Sequence, residues 1–235
     1  VESAEMTKHA INAFLGMSVT FINEIASICE DIGADAGEVE RGLKSEARIG
    51  PGAYLSPGAA FAGGTLARDI EFLNDIGSAN NIFNPLIAAV KTSNDAHKKW
   101  VERRLESVLG TLKGKKIAVW GLTYKANTST VRRSLSVEIC NWLMIKGAQI
   151  TVHDPSNCEL PDSWHEKVVR SDTPLEALSG VCALVVATEW PEYREISVAD
   201  VENIAGQLAI FDSNGFIRDF QKSPAISYFS VGVGP

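Results

Sequence analysis

The chain has 235 residues, of which 45% are apolar and 22% charged, and its formal net charge at pH 7 is −7. The length admits one large domain or two ordinary ones, and the composition is that of a globular protein. The acidic balance excludes the basic stripe of a nucleic-acid binder. No uninterrupted apolar run approaches the roughly 18 residues that span a bilayer, and no basic segment followed by an apolar one opens the sequence.

The first segment, from Glu2 to near Asp31, predicts one long helix, because Ala10, Ile11, Phe14, Leu15, Val19, Ile22, Ile25 and Ala26 recur at helical spacing. Its apolar positions run nearly all round, so it is expected to be buried, against its own domain or a partner subunit. Gly33 is the stop signal. A second helix is expected near Asp35 to Leu43, and the Gly/Pro/Ala-rich stretch from Ser45 to Gly64 reads as loop. A helix follows from about Leu66 to Gly77. Another, with Pro85 at its start, runs to about Leu112.

The pattern then changes. Lys116 to Gly121 is a buried-strand run, followed by a helix (Ser136 to Lys146), a strand (Gln149 to His153), a helix near Pro174 to Leu178, a strand (Cys182 to Ala187), a helix near Val198 to Ala205 and a strand (Leu208 to Asp212). Strands alternating with helices predict a parallel sheet covered on both faces. The expected fold is an all-α domain over residues 1–112 followed by an α/β parallel-sheet domain over 113–235. The chain opens at Val1 inside a helix, which reads as a fragment of something longer.

The cysteines are Cys29, Cys140, Cys158 and Cys182, with no C-x-x-C pair, and the histidines are scattered without zinc-ligand spacing. Cys29, Cys140 and Cys182 lie in apolar context and read as small core residues in a reducing, cytoplasmic compartment.

Chemistry is concentrated in three places. The turn after the first strand, Gly121-Leu122-Thr123-Tyr124-Lys125-Ala126-Asn127-Thr128, stands where a dinucleotide fold carries G-x-G-x-x-G, and no such fingerprint occurs anywhere in the chain. Lys125, Arg132 and Arg133 instead offer cations beyond a strand's carboxyl end, where such sheets hold ligands; a solvated polar loop is the plainer alternative. On the first helix, Lys8, Asn12 and Asn23 fall within about 60° of one another, a polar stripe on an apolar helix that needs partners if buried. The third place is Ala62-Gly63-Gly64-Thr65-Leu66-Ala67-Arg68-Asp69, preceded by Arg48-Ile49-Gly50-Pro51.

That third segment resembles the catalytic segment of the UDP-glucose/GDP-mannose dehydrogenase family, which runs Gly-Gly-Ser-Cys-Phe-Pro-Lys-Asp with the cysteine as nucleophile. The cysteine position reads as Leu66, while Asp69 stands at the motif's aspartate and Arg68 replaces its lysine. The first helix resembles the family's Lys-x-x-x-Asn and Phe-x-Asn-Glu through Lys8, Asn12, Phe21, Asn23 and Glu24. The run from Lys116 to Leu135 resembles the opening of the family's UDP-binding domain, with Lys125, Asn127, Thr128, Arg132 and Ser134 matching. Ser129 and Thr130 stand in place of paired acids. Val152-His153-Asp154-Pro155 and Thr188-Glu189-Trp190-Pro191 match as well. The family's Asp-x-Arg-Asn becomes Asp212-Ser213-Asn214, without the arginine.

The resemblance implies a helical dimerisation domain, a homodimer through the long helix, and a Rossmann-like domain that binds a nucleotide-sugar rather than NAD. NAD would be bound by an N-terminal domain missing from this chain, which alone should be inactive. It further implies catalytic roles for Lys8, Asn12 and Asp69. Substrate contacts would come from Arg48 (reaching across the dimer), Phe61, Gly63, Gly64, Lys125 and Arg132. Loss of the cysteine blocks the usual thiohemiacetal route. Three readings follow: a nucleotide-sugar dehydrogenase altered at its nucleophile, a binding and dimerising relative with impaired catalysis, or a generic helical-plus-α/β domain whose matches are structural only.

Overall fold

The computed structural model describes residues 2–62 and 64–234. It divides into two compact units: the first holds the chain up to Lys99 and takes it up again from Val231, and the second spans Trp100–Ser230.

The first unit is helical: α1 (Glu2–Ile32), α2 (Ala36–Ser45), α3 (Thr65–Ala79) and α4 (Pro85–Lys98). α1 packs on α3 and α4 around a core of Ala13, Ile70, Leu73 and Val90. Close approach requires Gly16, because a Cβ there would stand 2.8 Å from Ile70 Cδ1. α1 ends at Gly33, whose φ of +74° is the left-handed conformation of a helix stop, and Asp35 caps α2 by accepting from Gly37 N at 2.7 Å. The returning tail closes on this corner: Ala36 N donates to Gly232 O at 2.9 Å, and Gly232 N to Glu30 Oε1 at 2.8 Å.

α1 is long and apolar enough over an 18-residue window to cross a membrane by length and composition alone, with 39% of that window buried. α1 buries Ala13 against α3 and α4 and Ala26 against the corner where α2 meets the returning tail, as in the core helix of a globular unit, yet Ile11, Phe14, Phe21 and Ile28 stay exposed. The apolar circumference read from the sequence is therefore only half used within one chain.

The second unit begins with α5 (Trp100–Leu109). It continues β1 (Lys116–Trp120), α6 (Leu135–Ile145), β2 (Gln149–His153), β3 (Val168–Arg170), α7 (Pro174–Ala177), β4 (Ala183–Val186), α8 (Val198–Ala205), β5 (Leu208–Asp212) and β6 (Ile226–Phe229). The strands form one six-stranded sheet of order β3-β2-β1-β4-β5-β6, and every pairing is parallel. This is the doubly wound order whose chain reverses between β1 and β4, the place where such sheets hold ligands. One face packs Trp120 on Tyr193 with ring centroids 4.9 Å apart.

Three differences from the sequence reading have physical causes. The single helix expected from Pro85 to Leu112 is two, α4 and α5, broken at Lys99, whose amide turns to Ala96 O three residues back rather than four. By its contacts α5 belongs with the sheet, so the units divide earlier than residue 113. β3 and β6 were not foreseen: both are short edge strands, and a three- or four-residue run shows no usable period. Of the cysteines, Cys158 is buried with Cys29 and Cys140, whereas Cys182 is half-buried.

Candidate functional site

The first helical turn of α3 carries the centre of the site. Gly64 is its N-cap, Thr65 its first residue, and Asp69 lies one turn further on the same face. Asp69 is 2% exposed. A buried carboxylate must find partners, and α1 supplies them. Asn12 Nδ2 donates a short hydrogen bond to Asp69 Oδ2. His9 Nδ1 lies 3.4 Å from Asp69 Oδ1. Arg68 Nε is 3.9 Å from the same oxygen, with its side chain exposed. The Asn12 bond holds the Asp69 carboxyl below the usual carboxylate range; burial opposes this, and His9 when protonated and the charge of Lys8 reinforce it. Asp69 is thus a fixed anion, and Lys8 is an exposed cation within its field.

The loop before α3 is held by buried polar groups of α1 and α4. Asn23 accepts from Gly58 N at 3.0 Å. His97 Nε2 meets Gly58 O at 2.8 Å. Asn94, 3% exposed, accepts from Phe61 N and donates to Phe61 O, both at 3.0 Å. These contacts clamp residues 58–61 just ahead of the glycines. Sequence reading missed His9, Asn94 and His97. The signal was available, since each is a polar residue on a helix face otherwise committed to packing.

The structure treats the remaining expected residues differently. Phe61 packs its ring against the first unit's core. Gly63 lies outside the described residues. Arg48 is exposed and bonds Glu46 Oε1 through Nε at 2.9 Å, so within this chain it does not join Asp69. It lines a groove of about 620 Å³ together with Phe14, Phe21, Ile49, Tyr54 and Leu86. Leu66 is half-buried.

In the second unit, the turn after β1 is closed from within. Asp154, at the end of β2 and 2% exposed, accepts from Leu122 N at 2.6 Å and Thr123 N at 3.1 Å, and from Trp190 Nε1 at 3.2 Å. Burial would raise its carboxyl; bonds from Ser156, Leu122 and Thr123 outweigh that and hold it below the usual range. The amides that a dinucleotide fold aims at a pyrophosphate are therefore already bonded to a carboxylate, whose charge would repel a phosphate. Gly121, at φ +89°, is required because a Cβ would meet Thr188 N at 2.6 Å. This turn does not fit a nicotinamide dinucleotide. Beyond it, Lys125 and Arg132 are exposed, and Asn127 and Arg133 hold positive φ of 60° and 61°, shaping an outward loop of cations.

Two family models match the chain in succession: the central domain of the UDP-glucose/GDP-mannose dehydrogenase family over residues 2–96, and that family's UDP binding domain over residues 118–220. The chain belongs to this family. It is 33% identical to the UDP-glucose 6-dehydrogenase of Rickettsia bellii over 234 residues, 98% of this chain and 54% of the relative. It is also 33% identical to the UDP-glucose 6-dehydrogenase TuaD of Bacillus subtilis over 236 residues, 99% of this chain and 50% of the relative. Among solved structures, a UDP-glucose dehydrogenase of Pyrobaculum islandicum superposes with a TM-score of 0.81 at 25% identity, over 99% of this chain and 51% of that one. The chain thus spans about half the length of the family members it matches.

Proposed function

We propose that this chain is the C-terminal part of a nucleotide-sugar 6-dehydrogenase that oxidises a sugar CH–OH at the expense of NAD. The observation that carries the reading is the Asp69 cluster. A buried, ionised carboxylate is held by Asn12, with His9 and Lys8 beside it, at the mouth of a helix entered through glycine. Lys8 would stabilise developing charge on the sugar oxygen. Asn12 would position Asp69, and Gly63 and Gly64 would let backbone approach the sugar. In the second unit Lys125 and Arg132 would supply cations for the diphosphate. The nicotinamide cofactor accepts the hydride when bound, and the reading places it on an upstream domain of the parent protein, because the turn after β1 does not fit it. The homodimer would form through the exposed apolar face of α1, with Arg48 reaching the neighbouring site. A cytoplasmic setting accords with four cysteines that are all unpaired thiols.

The family's nucleophile needs one correction. Aligning on the paired glycines set Leu66 against the cysteine. In the family segment, however, the cysteine stands four residues before the aspartate, and four residues before Asp69 is Thr65. With α3 starting at Thr65, that register also keeps the pair one turn apart on a single helix face. We therefore assign Thr65, not Leu66, to the nucleophile's place. An alcohol there favours a two-electron product over the covalent four-electron route. The second reading, a nucleotide-sugar-binding and dimerising relative with impaired catalysis, draws on the same lack of a cysteine. NADH formation by the parent protein with UDP-glucose, UDP-N-acetyl sugars and GDP-mannose separates them: turnover supports the dehydrogenase, and binding without turnover supports the relative.

A further inference from the structure

His9 is a titratable group at the site that the resemblance does not use. Its Nδ1 is buried, makes no hydrogen bond of good geometry and lies 3.4 Å from Asp69 Oδ1. Its ring leans on Phe72, centroids 4.4 Å apart. The opposite nitrogen, Nε2, is not among the buried unpartnered atoms and bonds no described residue; the side chain is 20% exposed. One ring nitrogen therefore faces a fixed carboxylate, and the other is left without a partner among the described residues on a side chain that keeps some exposure. This is the arrangement in which a carboxylate fixes an imidazole's tautomer and leaves its second nitrogen as a base. Asn12, three residues along the same helix face, holds the other oxygen of Asp69 and so aims it.

We propose that His9 is the general base of the oxidation, paired with Asp69, an inference that rests on the dehydrogenase reading above. As the carbinol C–H bond breaks and its electron pair leaves with hydrogen to a nicotinamide acceptor, the hydroxyl proton passes to His9 Nε2. A C=O bond forms, and Asp69 offsets the imidazolium charge until the proton returns to water. Of the charged groups, Asp69 faces the ring, Arg68 and Lys8 act on that same carboxylate, and Glu5 stands one turn back on α1. Phe72 closes one side without charge.

Two measurements test this. In the chain as it stands, ring ¹⁵N shifts of His9 in its neutral form are expected to report the Nδ1–H tautomer, and Asp69→Asn is expected to shift them toward the Nε2–H form. Shifts showing the Nε2–H tautomer in both proteins would overturn the dyad. In the parent protein, His9→Gln is expected to lower kcat by about a hundredfold with the sugar KM little changed and to abolish the acidic limb of the pH profile. His9→Ala is expected to recover activity with added imidazole. Turnover within about threefold of wild type with the acidic limb intact would overturn the role. A wild-type parent that turns over no nucleotide-sugar would instead refute the dehydrogenase reading, a result distinct from failure of the His9 variants.

Discussion

Replacing Asn94 by alanine tests whether the loop before α3 is built by buried polar clamps. The Asn94 amide bonds both backbone groups of Phe61 at 3.0 Å and is 3% exposed, so water cannot readily replace it. Each such bond is worth about 1 kcal/mol net, and stranding part-buried backbone groups adds to the loss. The loop should therefore open more easily by about 2 kcal/mol, a factor of about thirty in the opening equilibrium. The assay is native-state hydrogen exchange at the Phe61 amide, which reads local opening without assuming that two compact units unfold as one. Phe61 N–H should exchange about thirtyfold faster, while amides of β1 and β4 in the other unit stay unchanged. Asn94→Asp, which keeps the acceptor and loses the donor, should fall between. Unchanged Phe61 protection in Asn94→Ala would refute the reasoning.

Three further outcomes are expected. In the parent protein, Thr65→Cys should carry product on to the carboxylate while Leu66→Cys should not; the reverse result would restore the glycine-anchored register. Asp154→Ala strips acceptors from Leu122 N, Thr123 N and Trp190 Nε1 and should destabilise the second unit by about 3 kcal/mol, read by urea unfolding at pH 7. Because the Asp154 carboxyl is held below its ordinary value of 3.8, its contribution is complete above that pH and is lost as pH falls through the folded value. The wild type and the variant should therefore converge in acid. The homodimer proposed through α1 predicts a dimeric mass for the wild type in light scattering and a monomeric one for Phe14→Glu with Phe21→Glu; a monomeric wild type, or equal masses in both, would refute that seam.

The sequence was most legible where a pattern repeats. The period of α1 runs unbroken for 31 residues, and β1, β2, β4 and β5 are buried runs bounded by turns. β3 and β6 were hidden because an edge strand buries one side and offers too few residues to show a period. The break at Lys99 was hidden for another reason: neither Gly nor Pro marks it, and only the amide's choice of acceptor makes the turn. At the site, Asn12 and Asp69 were legible because a polar stripe on an apolar helix needs a partner, and a motif supplied one. His9 escaped because half of its ring serves packing against Phe72, and its charge partner is sixty positions away in sequence. Asp154 was seen as part of a motif, but no spacing rule reveals that it fills the turn after β1 of its own domain.

The most direct test of the central claim uses the longer parent protein that the dehydrogenase reading proposes, comparing wild type, Asn12→Ala and Asp69→Asn. With a UDP- or GDP-sugar and NAD, the wild type should form NADH and yield a carbonyl product, and both variants should lose that activity while still binding nucleotide-sugar. Wild-type inactivity with every nucleotide-sugar, or full activity in Asp69→Asn, would contradict the account.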